Sequence, residues 1–240
     1  MWIAEMNATS PVSRPRQTWL ARDLRPAIVW LGFAWIVLGL CLGTSVAAES
    51  QTETAKRRIV ILGDSITAGY GVDATEGYPS LLQQRIDQAR LPYTIVNAGV
   101  SGDTTSGGLR RVEWVLRQPV DVFILALGGN DGLRGIATSV TRSNLTSILQ
   151  RVHSRYPKAR LVLAGMQMPP NMGKDYTDSF QALFPEVARQ QQAILIPFLL
   201  EGIGGKAEFN QPDLIHPTPV GHQKVADNVW AVLKPLLTAE

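Results

Sequence analysis

Five short apolar runs, separated by amphipathic stretches, constrain this chain more than any other feature of its sequence. They lie at 59–62 (IVIL), 94–97 (TIVN), 120–127 (VDVFILAL), 161–164 (LVLA) and 193–196 (AILI). Gly, Asn or Pro bounds them, and most lack the polar alternation of a half-exposed strand, as expected for strands covered on both faces. Helices are expected between them at 79–89, 106–117, 139–155 and 179–190, with a fifth at 219–233. In 139–155, Val140, Leu145, Ile148, Leu149 and Val152 make one apolar face. For the last helix, Thr218 suits the N-cap and Pro219 the first helical position. The stretch 169–178 (PPNMGKDYTD) reads as a mobile surface loop. Strands alternating with helices predict a three-layer α/β/α, flavodoxin-like domain with a five-stranded parallel sheet over 57–240.

The region before that domain reads differently. Residues 27–43 carry no charge, follow Arg14, Arg16, Arg22 and Arg25, and precede the small residues TSVAAES. That order marks 1–48 as a secretory signal peptide with cleavage after Ala48, or as an anchor if uncleaved, and 49–56 as a linker. Periplasmic or secreted localisation follows. Cys41, the only cysteine, lies in the leader, so the exported domain lacks disulfides and thiol chemistry. The net charge of +3 also belongs mostly to the leader, which leaves no basic stripe for a phosphate backbone and makes nucleic acid an unexpected partner.

In an open parallel sheet, ligands bind at the carboxyl ends of the strands. Gly63-Asp64-Ser65 follows the first run, and Asn97-Ala98-Gly99-Val100-Ser101-Gly102-Asp103 the second. Gly128-Gly129-Asn130-Asp131 follows the third, and Asp213-Leu214-Ile215-His216 precedes the last helix. One rim thus gathers a hydroxyl, a glycine-rich turn, an amide and an acid–imidazole pair. A serine hydroxyl becomes a nucleophile when a neutral imidazole takes its proton. A carboxylate fixes that imidazole's tautomer and stabilises the imidazolium. The N–H of Ser65, the N–H of Gly102 and the Asn130 amide are three candidate donors for an oxyanion. Asp64 and Asp131 read as braces of their turns, and His153 and His222 as solvent-facing or capping residues.

These residues resemble a known family. GDS near the start of the domain, NAGVSGDT, GGND and a late DxxH are similar to the motifs of the SGNH (GDSL-type) hydrolases, over 57–237. GGNDGLRG at 128–135 and the stretch MPPNMGKDYTDSF resemble the bacterial periplasmic thioesterase/lysophospholipase/arylesterase branch. The resemblance implies Ser65 as nucleophile, Asp213 and His216 as its triad partners, and Ser65, Gly102 and Asn130 as the oxyanion hole. It implies no metal and no cofactor. The expected partner is a small acyl ester or thioester, with transient contact to membrane lipid. Where the family reads DxxHPN, Thr218 stands in place of Asn; both cap helices well.

Competing readings have weaker support. Gly69–Ala74 matches G-x-G-x-x-A, but it lies beyond the strand end, and Asn97 stands where a ribose-binding acid is required. A two-metal phosphoesterase needs more clustered His and carboxylates, and no G-x-S-x-G elbow is present. A carbohydrate O-acetyl esterase of the same fold is the nearest alternative, followed by a non-catalytic binding module. For an acyl chain, the flexible apolar residues Met166, Met168, Met172, Tyr176, Phe180 and Phe184 are the expected contacts.

Overall fold

The structure, a computed structural model, describes residues 56–239. The expected leader at 1–48 and nearly all of the linker lie outside the described residues. Five strands form the sheet: β1 (Arg57–Gly63), β2 (Tyr93–Gly99), β3 (Val122–Ala126), β4 (Arg160–Ala164) and β5 (Ile194–Ile196). Their order is β2-β1-β3-β4-β5, with every neighbouring pair parallel. All five residues of β3 are buried, and Ile59 to Leu62 of β1 are wholly inaccessible. Unbroken apolar runs were required because helices cover both faces.

The helices are α1 (Ser65–Ala68), α2 (Tyr78–Gln88), α3 (Thr105–Val115), α4 (Gly129–Leu133), α5 (Thr138–Arg155), α6 (Lys174–Gln190) and α7 (Pro219–Thr238), with a 3₁₀ turn at Pro170–Met172. Packing of α3 on α5 and of α5 on α6 makes one outer layer, and α2 on α7 makes the other. Right-handed crossovers leaving β1 in one direction along the sheet and β2 in the other put these layers on opposite faces.

Two expectations need correction. The stretch 169–178 is not an open loop: it forms the 3₁₀ turn and then, from Lys174, the first turn of α6. A salt bridge from Lys174 to Asp178, one helical turn apart, supports that start. Val140 is exposed, whereas Leu145, Ile148, Leu149 and Val152 are buried. The apolar stripe of α5 meets the core only after its first turn.

The strand order reverses between β1 and β3. Loops following these two strands diverge there and leave a crevice, and the candidate site occupies it.

Candidate active site

Ser65 opens α1 directly after β1. Asp64 caps this short helix, its Oδ1 accepting the Ile66 N–H at 3.1 Å. Thr67, two residues on from Ser65, bonds the Tyr78 hydroxyl at 2.8 Å, and its carbonyl accepts from Asn97 Nδ2 at 2.9 Å. The helix backbone also lies hard against the end of β2, where a Cβ at Gly99 would collide with the backbone N of Ala68. Burial pushes the Asp64 carboxyl up to about 6, against the Ile66 N–H bond and the field of His216, which lower it.

His216 reaches this turn from the loop before α7. Its Nε2 lies 2.9 Å from Ser65 Oγ, and its Nδ1 lies 2.6 Å from Asp213 Oδ2. Burial alone would raise the Asp213 carboxyl. Bonds from the His216 N–H, the imidazole and the Ile215 N–H outweigh it and hold the carboxyl at about 2. An ionised carboxylate only accepts, so Nδ1 carries the imidazole proton. Nε2 therefore turns its lone pair to the Ser65 hydroxyl, which donates to it. Thr218 caps α7 with Oγ1, accepting from the Gly221 N–H at 3.3 Å, so the helix following His216 starts without the family's Asn.

The glycine-rich turn after β2 is braced from three sides. Arg111 pairs with Asp103 at 2.6 Å and donates to the Gly63 carbonyl at 2.9 Å. Asn130 Nδ2 donates to the Asp103 carbonyl at 2.9 Å, and Arg134 to the Gly102 carbonyl at 3.0 Å. One N–H of the Asn130 amide remains for a ligand. Buried Asp131 holds the start of α3, accepting from the Thr105 N–H at 2.8 Å and its hydroxyl at 2.5 Å. Both Asp64 and Asp131 thus act as turn braces.

Beside Ser65 opens a cavity of about 460 Å³. Ser65, Asn130 and His216 form its polar end. Its apolar wall comes from Leu133, Met166, Met168, Phe198, Leu200 and Ile215, together with the backbone of Gly204 and Gly205. Among the described residues, no group of three or more His, Cys, Asp or Glu side chains is placed to hold a metal ion.

A profile of the GDSL-like lipase/acylhydrolase family matches residues 61–224. The chain belongs to that family. Esterase TesA of Pseudomonas aeruginosa is 38% identical over 84% of this chain and 98% of its own length. Thioesterase 1/protease 1/lysophospholipase L1 of Escherichia coli is 36% identical over 85% of this chain and 95% of its own. A crystal structure of TesA superposes with a TM-score of 0.72 at 40% identity, covering 75% of this chain and 99% of that one. As a GDSL-like acylhydrolase with an α/β fold, the protein hydrolyses carboxylic esters.

Ser65, Asn130 and His216 meet at one end of the cavity, and Asp213 joins them through its bond to His216. Gly102 lies on the adjoining turn, outside the lining of the cavity. Of the expected acyl contacts, Met166 and Met168 line the cavity, but Met172, Tyr176, Phe180 and Phe184 do not. Phe180 and Phe184 are fully buried on the sheet-facing side of α6, and the Tyr176 hydroxyl donates to the Gly132 and Ile136 carbonyls. The physical reason is the helix itself, whose 3.6-residue period turns these side chains into the core. Their place is taken by Phe198, Leu200, Leu133 and the Leu214-Ile215 pair, which sequence reasoning passed over. The pair was detectable, since adjacent apolar residues between an acid and an imidazole in a loop have no core to enter.

His222 also departs from expectation. It is fully buried on α7, and Nδ1 accepts the Tyr78 N–H at 3.3 Å. Burial, with a smaller contribution from His216, lowers its pKa to about 4.

Proposed function

We propose that this acylhydrolase cleaves acyl esters and thioesters through an acyl-enzyme on Ser65. His216 Nε2 takes the Ser65 proton as Oγ attacks the carbonyl, and Asp213 stabilises the imidazolium. The Ser65 N–H, first in its helix and without an intrahelical acceptor, binds the oxyanion with the Gly102 N–H and the Asn130 amide. Collapse expels the alcohol or thiol, which takes the proton from His216. Water, deprotonated by the same imidazole, then attacks the acyl-serine, releasing the acid and restoring the hydroxyl.

The observation that carries this reading is the 2.9 Å contact from Ser65 Oγ to an imidazole whose other nitrogen is held by a carboxylate. The apolar cavity beside it favours an aliphatic or aryl acyl group over an acetylated sugar, whose hydroxyls would find few partners there. The substrate class therefore covers aryl esters, acyl thioesters and lysophospholipids. Export to the periplasm belongs to the same proposal and rests on the leader sequence at 1–48.

Ser65→Ala should abolish turnover of p-nitrophenyl esters without changing the circular dichroism spectrum; retained activity overturns the assignment. A C2 to C16 ester panel, with a lysophospholipid and an acyl-CoA, should show an optimum above C2. Strong preference for C2 would return the protein to the O-acetyl esterase reading.

A further inference from the structure

A second connection joins the nucleophile turn to the histidine loop, and it runs through Tyr70 and Gln211. Tyr70 leaves the end of α1, and its N–H donates to the Ser65 carbonyl at 3.0 Å. Its ring lies against the His216 imidazole, with centroids 4.7 Å apart and planes at 46°. Its carbonyl accepts from Gln211 Nε2 at 2.8 Å. The same Nε2 donates to the Pro217 carbonyl at 3.2 Å, and the Gln211 backbone N–H donates to the His216 carbonyl at 2.7 Å. Both amide hydrogens of one side chain thus bind carbonyls from the two halves of the site. Gly71, at φ 78°, leaves room for that side chain, because a Cβ there would collide with Gln211 Oε1.

We infer that Gln211 and Tyr70 form a clasp that positions His216 over Ser65. The inference rests on the catalytic roles proposed above. Ser65 stands at the end of a central strand, whereas His216 sits in a loop between the edge strand and α7. Asp213 belongs to the same loop. It fixes the imidazole's tautomer and plane but cannot set the distance to a residue elsewhere in the chain. The direct bond from Ser65 to His216 cannot hold that distance either, since its proton is transferred in every turnover. The clasp takes no part in proton transfer, so it persists while the imidazole alternately accepts and donates. The Tyr70 ring adds a face that favours the imidazolium and keeps water off one side of it. Tyr70 is 54% exposed, and its contribution comes from the ring and the main-chain carbonyl, with no part for the phenol.

The test measures kcat and KM for a short p-nitrophenyl ester in four variants, with active sites counted by stoichiometric phosphonylation so that unfolded protein does not enter. Gln211→Met removes both amide donors at similar length, and Tyr70→Ala removes the ring at an exposed position. Each should lower kcat about tenfold with KM changed less than about twofold, as expected for misplacement of a catalytic group. Tyr70→Phe should match the parent. Combining Gln211→Met with Tyr70→Ala should cost less than the product of the single losses, because the two residues act as one device. The clasp is overturned if both single variants keep kcat within about twofold, if their effect falls on KM alone, or if Tyr70→Phe loses as much as Tyr70→Ala. Ser65→Ala is assayed alongside: if it stays active, the catalytic reading fails and the clasp with it. An inactive Ser65→Ala beside fully active clasp variants removes the clasp alone.

Discussion

Asp213 and His216 meet within a single turn: Oδ2 lies 2.6 Å from Nδ1, and the same acid's Oδ1 accepts the His216 backbone N–H at 2.9 Å. One carboxylate therefore grips both the main chain and the imidazole of His216. Leu214, the next residue, has φ at 61°, a left-handed conformation that costs a leucine about 1 kcal/mol. The turn keeps this strained geometry because three bonds to Asp213 over-determine it. Replacing Asp213 by Asn should leave the fold intact but offer Nδ1 an N–H in place of an acceptor. The imidazole would then turn its protonated nitrogen to Ser65. Steady-state kinetics should show kcat lowered about 10⁴-fold with little change in KM. A loss below about fivefold would mean that the carboxylate does not set the tautomer.

Asn130 is fixed by one amide hydrogen to the Asp103 carbonyl and lines the cavity beside Ser65, so its second amide hydrogen is free to donate there. A donor held in advance acts on charge that develops only in the transition state. Asn130→Ala should therefore lower kcat by about 10²-fold or more while KM stays within a few-fold. An effect confined to KM would make Asn130 a substrate-binding residue instead.

The proposed acyl cavity and the core draw on different phenylalanines. Phe198 lines the cavity without being fully buried. Phe198→Ala should lengthen the pocket and shift the optimum of the p-nitrophenyl ester series to longer chains. Phe180 lies wholly inside α6's packing against the sheet. Phe180→Ala should cost about 3–5 kcal/mol in denaturant unfolding and leave the chain-length optimum where it was. Reversed results would restore α6 as the acyl-binding surface.

Much of this arrangement could be read in the sequence, for identifiable reasons. The strands were legible because double-sided burial demands unbroken apolar runs, and those runs placed Ser65, Gly102 and Asn130 at the ends of β1, β2 and β3. Asp213 and His216 were legible because their contact is local. The one-turn helices α1 and α4 left no periodic signal. The burial of His222 was hidden because a single imidazole on a helix does not announce which face it occupies. Tyr70 and Gln211 stayed hidden for another reason: their contact joins backbone carbonyls and a ring across 141 residues, and no local pattern encodes such a meeting. Phe198 and Leu200 gave no signal of their own, because they continue the apolar run of β5 and read as core.

Two buried titrating groups, Asp64 and His222, pull the pH dependence of stability in opposite directions. Asp64 is raised to about 6 by burial, so between pH 4 and 6 the folded state holds a proton that the unfolded chain releases. Its contribution falls as pH rises through that window. His222 is lowered to about 4 by burial, so below pH 6.5 the unfolded chain takes up a proton that the folded state refuses. Its contribution falls as pH drops from 6.5 to 4. Each shift corresponds to about 3 kcal/mol, and over the shared window the slopes largely cancel. Asp213, lowered to about 2, adds stability that is full above pH 4 and lost only below it. The parent's urea midpoint should therefore change little between pH 6 and 4. Asp64→Asn keeps the capping oxygen but removes one slope, and it should lose stability steadily on acidification from pH 6.5 to 4. His222→Asn should show the opposite trend, gaining stability between pH 6 and 4. Urea titrations at half-unit pH intervals distinguish the three curves, and parallel profiles for parent and both variants would show that neither group is buried in the ionisation state described.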